Sequence, residues 1–188
     1  MAIKTKTSDK ANSDKPSKIK KTPTSLKLAV VPLKDLVVFP RMIIPLFIGR
    51  FQSITAIESA LTEEFSQLII VTQKEDVTDY PTIADLPYVG TLVHLLQTLR
   101  LPDGSLKVMI ECKERFKIER FMKQKSHLIA KGNIIPELHV ELTKEQEVLM
   151  RLMHKQFAQF MQLSHHGFAE LGEENMPEIT DPGTLSDM

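Results

Sequence analysis

The stretch from Tyr88 to Cys112 constrains this chain more than any other. Two runs rich in apolar residues, Tyr88 to Leu101 and Leu106 to Cys112, flank Pro102-Asp103-Gly104-Ser105. That is a turn sequence, in which glycine supplies the positive φ a tight reversal needs. In the second run Leu106, Val108, Ile110 and Cys112 alternate with Lys107, Met109, Glu111 and Lys113. A period of two sends successive side chains to opposite faces, so one face is core and the other largely solvent. A β-hairpin is predicted here.

Around it the chain reads as further short strands. From Leu26 onward, apolar runs are broken by prolines. Leu28 to Val31 and Met42 to Ile48 read as strands that Pro32, Pro40 and Pro45 restrict to edges, bends or bulges. After Gly49, Phe51, Ile54, Ile57 and Leu61 recur at three and four, the spacing of one helical face, which predicts a single helix of about three turns. Leu68 to Val71 is the next buried strand. Phe116 and Ile118, then Leu128 to Ile135, continue the β series. Many short strands around one helix predict a small closed or sandwich-like β domain ending near Pro136. Beyond it the period becomes helical. Thr143 with Gln146 fits a capping box, and Leu149, Leu152, Met153, Phe157, Phe160 and Met161 form an apolar stripe, which predicts a helix of about twenty residues. Gly167 and Gly172 mark a loop. Asp181-Pro182 opens a last helix with Leu185 and Met188 on one face, so short that the end reads as a cut inside a larger protein.

Composition sets the outer bounds. At 188 residues, with 42% hydrophobic and 26% charged residues, the chain is mostly folded and roughly 70% of its unfolded surface is buriable. Net charge is zero, yet residues 1–25 hold seven lysines against Asp9 and Asp14, so the tail is +5 and the remainder −5. That tail has almost no large apolar residue to offset its ordering entropy, and it is expected to be disordered. DNA or anionic-surface contact through its lysines is the functional reading; a solubilising leader is preferred. The mildly acidic remainder gives no reason to expect a large nucleic-acid face. One cysteine, Cys112, excludes an internal disulfide and reads as a packed small hydrophobe. No apolar run approaches the length of a spanning helix, no hydrophobic signal core opens the chain, and the arginine-free, proline-interrupted tail disfavours a mitochondrial presequence. A soluble cytoplasmic protein is expected.

The search for chemistry is mostly negative. There is no G-x-x-x-x-G-K-[ST] motif, and the seven glycines are too scattered for a phosphate-cradling loop. Six histidines contain no H-E-x-x-H, and solvated helix-end and loop positions account for His154, His165 and His166 better than a metal cluster does. Ser164 beside His165 lacks a G-x-S-x-G elbow. Asp103 and Glu111 are better explained as a turn residue and an outward strand residue than as paired carboxylates. No catalytic, cofactor-binding or metal-binding residue is assigned. One segment stands apart: Met42 to Ile48 is apolar at every position, whereas a strand with one buried face should alternate. Burial on both sides, by the Phe51 helix and by the β core, is the preferred explanation. The functional one is an exposed apolar patch that binds protein, with Met42 and Ile43 as the candidate contact residues.

Pro32-Leu-Lys-Asp-Leu-Val-Val-Phe-Pro40 followed by Ile44-Pro-Leu-Phe-Ile-Gly-Arg50 is similar to the opening signature of bacterial Lon proteases. Val89-Gly-Thr91, Leu101-Pro-Asp-Gly104 and Lys107-Val108 match that family in order and spacing, and the helix from Ser53 to Leu61 and Gln73-Lys-Glu75 also fit. The resemblance covers about residues 28 to 188. It implies an α+β chain: a small PUA-like β-barrel or sandwich domain with one helix over 26–137 and the start of a helical connecting subdomain over 138–188, with the basic tail over 1–25 lying outside the resemblance. It further implies a substrate-recognition and assembly module with no catalysis or cofactor of its own. ATP, Mg and a Ser-Lys peptidase would belong to a full-length parent, and the partners would be unfolded or damaged proteins and other subunits of a homo-oligomeric ring. The competing readings are a stand-alone PUA-like nucleic-acid or ligand-binding protein, against which the acidic remainder and sparse aromatics weigh, and an independent hydrolase, which has no motif behind it.

Overall fold

The computed structural model describes residues 25–74, 81–124, 126–137, 142–163 and 181–187. The basic tail, Ser164, His165, His166, the loop carrying Gly167 and Gly172, and Met188 lie outside them. The order of elements is β1 (Leu26–Leu33), β2 (Ile43–Ile48), α1 (Phe51–Leu61), β3 (Gln67–Thr72), a 3-10 turn (Ile83–Asp85), β4 (Val89–Arg100), β5 (Leu106–Gln124), β6 (His127–Ile134), α2 (Lys144–Leu163) and α3 (Pro182–Ser186).

The strands form one mixed sheet in the order β2-β5-β4-β3-β1-β6, and not the regular closed barrel or two-sheet sandwich expected from the strand pattern. Two features produce the difference. β1 and β3 run parallel while every other pair is antiparallel. β5 is a single strand of 19 residues where the sequence reads as two. Its first half holds β2 and β4, and its second half holds β6, so the sheet curls back on itself while β2 stays outside the curl. The bend is placed by a register shift between Ile118 and Arg120, an extra residue that re-aims the strand. Gly132 faces that bend, where a Cβ would lie 2.0 Å from the Lys117 carbonyl oxygen.

Two apolar clusters cover the two faces. Ala29, Val31 and Leu33 of β1 and Leu68 and Ile70 of β3 point toward α1, while Leu28, Val30, Ile69 and Val71 point into the curl with Phe116, Ile118 and Phe121. Strands buried on both faces read as unbroken apolar runs, which is why Leu28 to Val31 and Leu68 to Val71 show no alternation. α1 is rotated from the face its large residues mark, keeping Ile57 buried and Ile54 against the core. Ser53, Ala56, Ile57 and Ala60 are buried, whereas Phe51 and Leu61 are exposed. Small side chains let the helix axis approach the sheet closely, and the larger ones flank the contact.

β2 pairs with β5 alone. The Cys112 N–H donates to the Met42 carbonyl at 2.8 Å, and this register directs the N–H groups of Ile44, Leu46 and Ile48 toward β5. Pro45, with no N–H, therefore falls where the ladder needs no donor, on the free edge that proline tolerates and blunts. Downstream, Thr143 and Gln146 cap α2 reciprocally, the Gln146 side chain accepting from the Thr143 N–H at 2.9 Å and the Thr143 hydroxyl from the Gln146 N–H at 3.3 Å. Asp181 caps α3 by accepting from the Thr184 N–H at 2.7 Å. Arg115 of β5 pairs with Asp187, and Leu185 is buried.

Candidate functional site

The all-apolar run resolves into two faces. Leu46 and Ile48 are buried, and Met42 and Ile44 pack partly against the core. Ile43 and Phe47 are 61% and 69% exposed, with Pro45 exposed between them. The expectation that both faces are covered is thus corrected. The helix and core cover one face, and nothing among the described residues covers the other.

The sheet register extends that open face across three strands. Ile43 lies beside Glu111 and His94, Pro45 beside Met109 and Gln97, and Phe47 beside Lys107 and Leu99. Leu99 is 54% exposed, and Leu96, lifted out by the β4 irregularity between Leu95 and Gln97, is exposed as well. Large apolar side chains standing in rows on a solvent-facing sheet make this face a candidate interaction surface, because a monomeric fold gains nothing from exposing them together. Charges frame the rows. The Lys107 ammonium sits 5.6 Å from the centre of the Phe47 ring, Lys113 pairs with Glu111 at 2.5 Å, and Arg100 pairs with Glu58.

Of the two residues singled out from the sequence, Ile43 stands on this face and Met42 does not. Met42 sits at the strand's entrance with its sulfur accepting from the Phe39 N–H at 3.2 Å. Phe47, Leu96 and Leu99 escaped the sequence reading. The alternation in β5 identifies Met109 as outward, but only cross-strand register shows which β2 and β4 residues stand beside it.

A second apolar feature is the loop between β1 and β2, where Leu36, Val37 and Phe39 are exposed near Val89. A cavity of about 280 Å³ lies beneath it, lined by Val37, Phe39, Gly90 and Arg115 among others. The loop is tied down: the hydroxyls of Thr91 and Thr72 donate to the carbonyls of Val38 and Leu36, each at 2.7 Å. Arg41 takes a left-handed φ of 70° with its N–H on the Cys112 carbonyl at 2.8 Å.

Acid–base chemistry has little to work with. Cys112 is buried, and burial pushes its thiol up to about 11, away from nucleophilic use. Burial likewise depresses His127, opposed by the charge of Glu63. Asp85 and Asp103 are held below the usual carboxylate range by hydrogen bonds from Thr82 and Ser105, the ordinary outcome for turn carboxylates. Among the described residues no group of three or more His, Cys, Asp or Glu is placed to hold a metal, and no helix is long and apolar enough to cross a membrane.

The family model for the ATP-dependent protease La (LON) substrate-binding domain matches residues 27–188. The chain is 43% identical over 156 residues to the Lon protease of Vibrio parahaemolyticus, covering 82% of this chain and 18% of that protein. To the Lon protease of Escherichia coli it is 37% identical over 169 residues, 86% of this chain and 20% of the relative. The chain thus spans about a fifth of the length of the relatives it matches. Its fold is similar to the N-terminal domain of Mycobacterium avium complex Lon protease, with TM-score 0.68 and 23% identity over 86% of this chain and 80% of that one. The Lon N-terminal domain protein from Xanthomonas campestris aligns with TM-score 0.54 and 16% identity, covering 70% and 73%.

Proposed function

The chain belongs to the Lon substrate-binding domain family, and from that premise we propose that it recognises unfolded or damaged protein through the outer face of β2, β5 and β4. The observation that carries this reading is the pair of large exposed side chains, Ile43 and Phe47, ranged beside Met109 and Leu99 on one solvent-facing sheet surface. A denatured client differs from a native protein chiefly in exposing apolar side chains, and a shallow apolar face selects for that difference without reading a sequence.

The remaining architecture is part of the same proposal. Residues 26–137 form the PUA-like recognition domain, and 138–188 begin the helical region that joins it to the rest of a parent protease. ATP and Mg, ring assembly and Ser-Lys peptide-bond cleavage belong to that parent, working in the bacterial cytoplasm, and this chain supplies recruitment. α2 fits this arrangement because Leu149, Leu152, Met153 and Phe160 are exposed along it, a face available to further parts of such a parent. The stand-alone nucleic-acid reading loses its footing with the family assignment.

A photo-crosslinking residue in place of Phe47 tests the face directly. Cross-links to a permanently unfolded protein, absent with its native counterpart and absent when the probe replaces the exposed Glu63 on the α1–β3 connection, are expected. Equal labelling from both positions would refute the assignment.

A further inference from the structure

Where the sheet curls closed, three cations stand in one row. Lys27 of β1 pairs directly with Lys131 of β6, and Lys131 pairs directly with Arg120 of β5. Directly opposed residues share a face with their Cβ atoms about 4.5–5.5 Å apart, so the row spans about 10 Å. Lys27 and Arg120 are exposed and Lys131 is half-buried. No ion pair among the described residues involves any of the three.

The register makes this row out of residues that had an alternative. Ile118 pairs with Gly132, and an unbroken ladder would set Glu119 opposite Lys131. The bulge inserts Glu119 as the extra residue and brings Arg120 there instead, which returns Phe121 to the interior opposite Ala130. Glu119 accepts from the Asn133 side chain at 2.7 Å. Burying Phe121 accounts for the bulge but not for a cation at 120, since any polar residue would serve at that exposed position. Like charges directly opposite one another destabilise a sheet. Lys117, exposed opposite Asn133, enlarges the patch to four cations against the Glu119 carboxylate.

We propose that this row docks a carboxylate-rich stretch of polypeptide; it rests on the recruitment reading only in taking the partner to be a client protein. An extended peptide presents alternate side chains about 6.6 Å apart, so acidic residues at i and i+2 lie on either side of Lys131, and the Arg120 guanidinium engages one carboxylate through two N–H groups. Nucleic acid fits less well. The row is shorter than the roughly 12 Å width of a duplex major groove, and single-stranded bases find no ring to stack on because Phe116 and Phe121 are both buried. The row thus lets the domain favour acidic clients on a surface separate from the apolar face.

Backbone amide NMR of the ¹⁵N-labelled full chain tests this with a short peptide alternating Glu and Ser, its Gln-for-Glu counterpart, and a short duplex DNA. The acidic peptide should shift Lys27, Arg120 and Lys131 saturably, the Gln peptide should not, and affinity should fall about tenfold from about 0.05 to about 0.5 M salt. Lys131→Gln should weaken binding about fivefold and, by relieving like-charge repulsion, raise the low-salt melting temperature by about one degree. Arg120→Gln should act in the same two directions. Melting temperatures lowered in both variants would make the row structural and overturn the proposal. So would equal shifts from the Glu and Gln peptides, shifts confined to residues 1–24, or a stronger response to DNA than to the acidic peptide. If the row is silent while a probe at Phe47 still captures unfolded protein, the row falls and the apolar face stands. If the row responds while Phe47 captures nothing, the row stands and the face falls.

Discussion

Neighbours along β2 separate recognition from stability. Met42 packs against the core and Phe47 does not, so Met42→Asp should cost about 1–3 kcal/mol while Phe47→Asp changes stability by about 0.5 kcal/mol or less. Thermal melts of both variants check this, and a large loss in Phe47→Asp would mean the ring is structural. At Cys112, where burial raises the thiol to about 11 from an ordinary 9.0, a thiol reagent at pH 8 should label the native protein only as fast as it opens. Stability linked to that thiol is fully present below pH 9 and is lost as pH rises toward 11. His127 works at the other end of the scale. Burial lowers it from 6.5, so the unfolded state takes up the proton first. Stability is therefore retained above 6.5 and lost as pH falls through the depressed folded value, and His127→Gln should flatten melting temperature against pH below 6.5. Position in a strand was legible from alternation in β5. The identity of the exposed residues on β2 was not, because a wholly apolar run hides its own period until pairing with β5 sets the phase.

Elements were legible where local chemistry alone determines them. The Asp103-Gly104 turn, the Thr143–Gln146 cap and the Asp181 cap depend on residues a few positions apart, and each has the geometry its residues predict, with Gly104 at φ 85°. α1 was placed correctly, and its buried side half so: Ile57 is buried and Ile54 packs against the core as expected, while Phe51 and Leu61 are exposed. Counting large residues selected Phe51 and Leu61, whereas fit against the sheet favours Ala56 and Ala60. Ala56→Leu should therefore destabilise by about 1–3 kcal/mol through overpacking, despite adding apolar surface; a denaturant midpoint at or above that of the parent chain would contradict the close helix approach. The continuity of β5 across its bulge, and with it the curl of the sheet, depends on pairing with β6 far along the chain, which no window of the sequence contains.

At the scale of the whole molecule, affinity should come from repetition. An extended client loses conformational freedom on binding and meets one modest face, so a single copy is expected to bind with a Kd on the order of 100 μM to 1 mM. Copies arranged around a ring would raise the effective concentration to roughly the millimolar range for a client already held once. Weak single contacts would then permit release to the rest of the proposed parent protease while retaining the client nearby. The central claim is that the outer face of β2, β5 and β4 makes that contact. Anisotropy of a labelled, permanently unfolded protein titrated with the full chain and with a Phe47→Asp, Leu99→Asp double variant tests it most directly, once melts show both folded alike. The account predicts saturable binding in the first and at least about fivefold weaker binding in the second, the loss of roughly 1 kcal/mol expected on placing charge in an apolar contact. Equal affinity in the two would contradict it.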